Sequence, residues 1–578
     1  MGFERFSKIW MVDFEFISEP GELPKVVCMV AREYRTGEVM RVWENEFCLG
    51  PPTFLLDQEC LVVAYFASAE VGCFLELGWH LPNNLIDLYV EFRALTNGVP
   101  TPCGNGLLGA LAYFGLSSID AVEKDGMREL ILLGGPWPEA QRLQILDYCQ
   151  TDVDALIKLL GKMERVIDVE RALVRGRYMI AVAVMERIGI PVDTEYLSKL
   201  KEKWNDLKSD LIKKVNEACP VFEGDVFKLN RFAEYLVEHQ IAWPRLPTGG
   251  LDLKDSTFKS MALRFPELNP LRELRYALSQ LRLAELPVGS DGRNRCLLSP
   301  FRARTGRNQP SNSKFMFGPS VWLRGLIKPS EGFAIAYIDW SQQEFGIAAA
   351  LSGDPLMQEA YLSGDPYLAF AKQAGAVPDD ATKRSHKFER EQFKACVLAV
   401  QYGMGAEALA DKIGQPVVKA RQLLKMHRET YRTFWKWSDS VLDNAHLHGR
   451  LWTVFGWPIR LSGEANPRSL QNFPMQANGA EMLRIACSLM VESGITLCAP
   501  IHDAVLIEAP VDQIDHEVTK AKELMSQASA IVLNGFCLRS DAEIYRYPER
   551  YSDERGSAMW TFVMEVMKEL ECEAGDGS

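Results

Sequence analysis

From Arg171 to Leu286 the sequence is charged and helical in pattern with almost no strand signal, and β-favourable runs stand on both sides of it. A helical arm between two strand-bearing regions implies several domains, and 578 residues are well beyond one hydrophobic core. Before the arm, short β-type runs (Ile9 to Ile17, Val26 to Val30) alternate with helical stretches ending in Leu143 to Met163, an α/β pattern. After it come a loop rich in Gly, Asn, Pro and Ser (Thr305 to Pro319), a β-rich run from Gly332 to Asp339, a helical block from Asp354 to Leu447 and a mixed remainder. The acidic tail from Glu569 is expected to fray.

Composition excludes several classes. Apolar residues make up 47% of the chain, but no run approaches the roughly 18 apolar residues of a spanning helix, so no membrane role is expected. The start lacks an apolar signal core, and the 13 scattered cysteines contain no Cys-x-x-Cys pair. That pattern fits a reducing cytoplasm and neither a disulfide framework nor a zinc site. With a formal charge of −13, any nucleic-acid surface must be local.

Two sets of carboxylates carry chemistry. In Met11-Val12-Asp13-Phe14-Glu15-Phe16, residues two apart on a strand share a face, so Asp13 and Glu15 converge. An isolated Asp-x-Glu is commonly a solvated strand face, whereas a converging pair is eased by a divalent cation between its members. Asp87 follows a hydrophobic stretch, with a helix cap or surface role as its alternative, and Tyr148 and Asp152 lie four apart on one helical face. Farther on, the buried-strand run Gly332 to Ile338 delivers Asp339, followed by Trp340-Ser341-Gln342-Gln343-Glu344. Ala499 to Glu508 has the look of a hairpin with Asp503 at its turn. Between them Lys383 to Lys394 is a local basic patch in an acidic chain, and Arg390, Lys394, Leu398 and Tyr402 recur every four residues along one stripe. On its own such a stripe is a solvated basic helix, and His386 within the patch reads as a surface histidine.

Together these phrases resemble DNA polymerase family A, the bacterial DNA polymerase I type, with a 3′→5′ proofreading exonuclease at the N-terminal end. The resemblance implies an α/β multidomain fold, a ribonuclease H-like exonuclease domain followed by a right-hand polymerase. Its expected parts are the exonuclease (1–165), a helical thumb (166–300), palm (301–353), fingers (354–448), and second palm part with tail (449–578). By that likeness Asp13, Glu15, Asp87 and Asp152 would hold two Mg²⁺ ions while Tyr148 orients the attacking water. Asp339 and Asp503, in phrases like motifs A and C, would hold the two polymerase Mg²⁺ ions, with Mn²⁺ a possible substitute. In the motif B-like stripe Arg390 and Lys394 would grip the triphosphate, Glu344 would act as a steric gate against ribose, and Tyr402 would complete the nucleotide site. Arg307, Arg468, Asn472 and Gln476 match positions that touch primer-template DNA.

Leu398 stands where the family usually has an aromatic ring, and Ala504 where it usually has a third acid. Too few residues precede Asp13 to hold a 5′→3′ nuclease. The compact layout is similar to bacteriophage replicative polymerases, among them those of phages whose DNA carries 2-aminoadenine, which implies a preference for 2-amino-dATP over dATP. Expected partners are primer-template DNA and deoxynucleoside triphosphates, with the chain a monomer. The alternatives are a catalytically silent DNA-binding homologue and an exonuclease with an accessory domain.

Overall fold

The computed structural model describes residues 2–117, 121–246, 248–280, 286–318, 321–461, 463 and 466–575. Near the N-terminus β1 (Ile9–Ile17), β2 (Lys25–Glu33), β3 (Val39–Trp43), β4 (Leu61–Ala64) and β5 (Leu85–Asp87) form a five-stranded sheet in the order β3-β2-β1-β4-β5. The β1–β2 and β2–β3 pairs are antiparallel, whereas β4 runs parallel to β1 and β5. A parallel neighbour needs a crossover, and α1 (Ser68–Glu76) supplies it between β4 and β5. The helix α2 (Leu88–Thr96) then follows β5 directly.

Strand periodicity sorts β1 between two cores. Trp10, Val12 and Phe14 join Val71 and Phe74 of α1, while Ile9 and Met11 join Ile145, Cys149 and Val153 of α3 (Glu139–Met163). Asp13 and Glu15 continue the face that α3 covers. The pairing with β2 shifts register immediately after Glu15, a bulge that ends the regular ladder beside both acids.

The long helix α4 (Val169–Ile188) lies against β5 so closely that a Cβ on Gly176 would stand 1.8 Å from the Leu85 carbonyl oxygen. Next to it Arg175 donates twice to Glu91 of α2, at 2.7 and 2.6 Å, with both side chains under 10% exposed. Asn97, just past α2, donates to the carbonyls of Arg304 and Pro458, so the N-terminal unit is packed onto the rest of the chain. The arm is helical between Thr194 and Gln280, around Leu211, Ile212, Phe232, Phe258 and Leu271.

A second sheet contains β6 (Phe333–Trp340), β7 (Thr496–Ile501), β8 (Ala504–Pro510) and β9 (Ser540–Arg546), all antiparallel, in the order β7-β8-β6-β9. Between β6 and β7 come α5 (Gln343–Ser352), α6 (Lys387–Gln401), α7 (Pro467–Glu492) and further helices. Ala336, Ile338, Val505 and Ile507 face Ile347 of α5, Met482 of α7 and Met525 of α8 (Ile514–Val532). Ile335, Ala504 and Leu506 face the other way, towards Val563 and Val566 of α9 (Glu554–Gly575). Here an expectation is corrected: the tail does not fray at Glu569, because α9 continues to Gly575, anchored by buried Met567 and a Lys214–Glu569 bridge of 2.8 Å.

Within the helical block Asp354 is 1% exposed and joins two helix starts, accepting from the amides of Leu356 and Met357 with one oxygen and of Thr433 and Phe434 with the other. Four orphan amides at two helix N-termini are satisfied by one carboxylate. Among the described residues no helix is long and apolar enough to cross a membrane.

Candidate active sites

The first site lies where β1 meets α3. Ligand atoms of Asp13, Glu15 and Cys149 all fall within 4.8 Å of one another, and the Cys149 thiol approaches an Asp13 carboxylate oxygen at 3.4 Å. Tyr148, the neighbour of Cys149 on α3, has its hydroxyl pushed far up by burial, then by the charges of Asp152, Glu15 and Asp13. Asp13, Glu15, Tyr148 and Asp152 are thus brought to one place, with Asp152 outside the tight group.

Asp87 also lies outside the tight group. It is 1% exposed and caps α2: one oxygen accepts from the Phe66 and Tyr89 amides, the other from the Ala67 amide, each at 2.8 to 2.9 Å. Burial pushes its carboxyl up to about 7 despite those bonds. The capping alternative open in the sequence is the one the geometry favours. The acid facing Asp13 is instead Glu70 of α1, missed in the sequence. Its carboxyl is held well above the ordinary range by burial, then by Asp13, with Asp87 and Glu15 adding to it. Its Oε2 is buried without a hydrogen-bond partner. The available signal was a lone acid among Ala67, Val71 and Phe74 on a helix otherwise turned to the core.

The second site is a cleft of about 420 Å³ lined by Arg307, Asp339, Glu344, Leu398, Tyr402 and Asp503, among others. Asp339 closes β6, and its register partner on β8 is Ala504, so Asp503 sits beside it at the tip of the β7–β8 hairpin. The two-residue turn His502-Asp503 demands a left-handed first residue, and His502 adopts it at φ 53°. Non-glycine residues pay for that conformation, and such strain gathers at functional sites. Burial, then the charge of Asp503 and of Asp541, raises Asp339 to about 6, and burial raises Asp503 as well. Glu344, in the first turn of α5, is raised by burial against the pull of Arg307, 4.0 Å away, and of a hydrogen bond from Tyr402.

The structure leaves some expected residues outside this cleft. Arg390 donates to Asp365 at 2.5 Å and to Glu391 at 2.6 Å, and its guanidinium stands 5.5 Å from the ring of Tyr367, which lines the cleft. Lys394 lies 6.0 Å from the same ring. Both cations therefore lie against Tyr367 and outside the lining of the cleft. Arg468 and Asn472 line a separate cavity of about 550 Å³ together with Gly403, Arg428 and Trp435. A Cβ on Gly403, at φ 63°, would meet the Arg468 stem at 3.0 Å, so this glycine lets α7 close on the end of α6. Gln476 follows one turn beyond Asn472 on α7 and is half-buried.

Comparison with known proteins bears on the second site most directly. The DNA polymerase of Mycobacterium phage L5 is 26% identical over 383 residues, covering 64% of this chain and 62% of that protein. DNA polymerase I of Chloroflexus aurantiacus is 24% identical over 424 residues, covering 66% of this chain and 44% of that protein. The chain thus spans less than two thirds of either relative's length. In overall fold it is similar to the POL domain of Pol1 from M. smegmatis, solved in complex with DNA primer-template and dNTP, at a TM-score of 0.69 and 19% identity over 94% of this chain and 96% of that one. The family model described as DNA polymerase family A matches residues 316–541, the stretch that supplies Asp339, Glu344, Leu398, Tyr402 and Asp503.

Proposed function

We propose that the chain is a template-directed DNA polymerase that extends a primer 3′ end with deoxynucleotides and carries its own 3′→5′ proofreading exonuclease. The observation that carries the reading is the cleft in which Asp339, Asp503, Glu344 and Arg307 meet within and beside the family-matched stretch. The donor sets suit hard divalent ions: a half-buried carboxylate such as Asp339, whose proton affinity burial and the charge of Asp503 raise, is relieved by a cation. Asp339 and Asp503 would hold two Mg²⁺ ions, or Mn²⁺ in their place, and Asp13, Glu15 and Asp152, joined by Glu70, would hold those of the exonuclease. Such ions neutralise charge on a transferring phosphoryl group and acidify a bound hydroxyl or water.

The remaining work falls to the chain's own groups. Glu344 floors the cleft beneath the sugar, so a ribose 2′-hydroxyl would clash or go unpaired. Arg390 and Lys394 take the triphosphate once Arg390 exchanges Asp365 for phosphate, a fork and a point charge suited to that group. Leu398 and Tyr402 pack against the nucleotide, while Arg307, Arg468, Asn472 and Gln476 follow the primer-template. In the exonuclease Tyr148 orients the attacking water, and Asp87 positions α2 rather than ligating. The parts are an exonuclease (1–165), thumb (166–300), palm (301–353 and 449–578) and fingers (354–448), in a monomer replicating phage DNA in a host cytoplasm.

Primer extension with Mg²⁺ and four deoxynucleotides, beside primer shortening without them, tests the reading. Shortening alone would leave an exonuclease with an accessory domain, and neither activity a silent homologue. The finer element is selectivity for 2-amino-dATP. Its amino group adds a third hydrogen bond within the pair with thymine, and a preference of about 1 kcal/mol over dATP follows from that bond. Competition opposite template thymine measures it, and equal incorporation rejects it.

A further inference from the structure

The two sites differ in the atoms they offer a cation. Asp339 and Asp503 offer oxygen, whereas the carboxylates of Asp13 and Glu15 share their tight group with sulfur: ligand atoms of Asp13, Glu15 and Cys149 all lie within 4.8 Å of one another. Cys149 is fully buried on α3, and its Sγ stands 3.4 Å from both the Asp13 carbonyl oxygen and Asp13 Oδ2. A buried thiol that merely packs needs no carboxylate beside it, and as a hydrogen-bond donor sulfur is weak. The contact with Oδ2 is close to a coordination edge, since sulfur at about 2.3 Å and oxygen at about 2.1 Å from one tetrahedral ion stand about 3.6 Å apart. A further oxygen points to the same place. Glu70 of α1 is 5% exposed, its Oε2 is buried without a hydrogen-bond partner, and the acids whose charge acts on it are Asp13 first, then Asp87 and Glu15. Such an orphaned buried oxygen is satisfied by a bound ion.

We propose that Cys149 is a ligand of the N-terminal metal site, which with Asp13, Glu15 and Glu70 takes a thiophilic divalent cation such as Zn²⁺ in place of one of the hard ions. The proposal rests on the reading of Asp13 and Glu15 as metal-holding residues and adds the class of ion they hold. Carboxylates alone favour Mg²⁺ and Mn²⁺, while a thiolate among them moves the preference towards Zn²⁺. On binding, the Cys149 S–H bond breaks, sulfur keeps the electron pair and forms its bond to the ion, and the proton leaves to solvent. No Cys-x-x-Cys pair is needed, because β1, α1 and α3 each deliver part of the ligand set. A second buried thiol, Cys28, stands opposite Glu15 in the β1–β2 register but outside the tight group.

The test uses Co²⁺, a spectroscopic substitute for Zn²⁺, in the full chain carrying Asp339→Asn and Asp503→Asn, which removes the palm acids. This parent should show thiolate-to-cobalt charge-transfer absorption that Zn²⁺ abolishes by displacement. Cys149→Ser should lose the absorption and bind Zn²⁺ at least about 10- to 100-fold more weakly, with Mn²⁺ affinity near the parent. Cys28→Ser should keep both. Thermal melting checks each fold, and if Cys149→Ser does not fold, zinc-edge X-ray absorption of the zinc-loaded parent decides: one sulfur at about 2.3 Å is expected, and a shell without sulfur overturns the proposal. Bound cobalt without the charge-transfer band, or a band that survives in Cys149→Ser, would overturn the role of Cys149 and leave the carboxylates standing as ligands. Equal losses of Zn²⁺ and Mn²⁺ in a folded Cys149→Ser would make the thiol a packing residue and overturn it too. Co²⁺ and Mn²⁺ binding unchanged by Asp13→Ala with Glu15→Ala would instead sink the reading of that pair as a metal site.

Discussion

The two carboxylate sites are assembled in opposite ways. Asp13 and Glu15 are neighbours on one strand, and a single helix, α3, closes over them with Cys149 and Tyr148. Asp339 and Asp503 lie more than 160 residues apart and meet only because β6 and β8 pair in one register and His502 accepts a left-handed turn. The first site has Asp13, Glu15 and Cys149 gathered as folded, with Asp152 outside the tight group. At the second, the phosphate-binding candidates Arg390 and Lys394 lie against the ring of Tyr367 and outside the cleft lining, with Arg390 bound to Asp365. On the proposed reading, the acids of one site are gathered before anything binds, whereas the other needs α6 to change partners when a nucleotide enters.

The largest effect separates the sites outright. Asp339→Asn should lower primer extension by several powers of ten, since it removes charge stabilisation from the transition state, and leave primer shortening intact. Asp13→Ala with Glu15→Ala should do the reverse. If that pair also stopped synthesis under turnover conditions, the two sites would not be independent. Glu70→Gln comes next: if the acid serves the first site, shortening should fall roughly 10- to 100-fold with extension unchanged. Asp87→Asn should differ in kind, lowering the melting temperature through the lost cap more than the shortening rate. Equal and purely kinetic losses in both would restore Asp87 as a ligand.

Acid should also drive the two regions apart. His427, buried among Phe370, Tyr431 and Trp435, accepts from the Trp435 indole, and burial lowers it to about 3 from 6.5. Its folded value lies below the unfolded one, so its contribution is whole above about 6.5 and is lost as pH falls towards 3, at roughly 1.4 kcal/mol per unit. Asp87 behaves oppositely: raised to about 7 from 3.8, it binds its proton first in the folded state and adds stability as pH falls through that window. Amide exchange at pH 7 and pH 5 should therefore show protection falling around 417–448, by about 2 kcal/mol, and holding or rising in β5 and α2. Loss of protection first in β5 and α2 would contradict the assignment.

What the sequence makes legible follows from how local each signal is. Asp13, Glu15, Tyr148 and Asp152 are read from periods of two and four within single elements, and the strand ending in Asp339 from an apolar run with one acid after it. The α/β class and the helical arm are legible for the same reason. Glu70 is missed and the cap role of Asp87 left open because the sequence does not say which of two acids near β4 and β5 takes the backbone amides of Phe66 and Ala67. The partners of Arg390 are illegible too, since Asp365 lies on another helix and reads merely as a cap. Register is equally silent, so the pairing of Asp339 with Ala504 that sets Asp503 beside it is not legible either.

The bridge from Asp365 to Arg390 offers a smaller probe of the difference between the sites. Asp365 accepts from the Leu368 amide with one oxygen and from Arg390 with the other, and Asn can keep the cap while giving up the charge. Asp365→Asn should tighten apparent nucleotide binding about fivefold, near 1 kcal/mol, because a part-buried ion pair no longer competes with the triphosphate. Exonuclease rates should not move. Weaker nucleotide binding in a variant that melts like the parent would mean that Asp365 orients Arg390 for phosphate instead of withholding it.

The smallest expected change lies inside the cleft, at Leu398. Its side chain lines the wall one turn beyond Lys394 and one turn before Tyr402, so it is placed to touch whatever the cleft binds. A ring there has a flat face for an offset contact with a sugar or base, whereas leucine offers only rounded methyl groups. Leu398→Phe should therefore tighten apparent nucleotide binding by about 0.5 to 1.5 kcal/mol, provided the larger side chain finds room. Room is the competing term, since overpacking a wall already shared with Phe345 and Tyr367 costs about 1 to 3 kcal/mol where neighbours cannot yield. The cleft is open enough to enclose about 420 Å³, and Leu398 is only half-buried, so the gain should exceed the strain. Single-turnover incorporation against nucleotide concentration measures the balance. Unchanged or weaker affinity in a variant with the parent's melting temperature would show a cleft shaped around leucine, and would move the contact with the nucleotide to Tyr402.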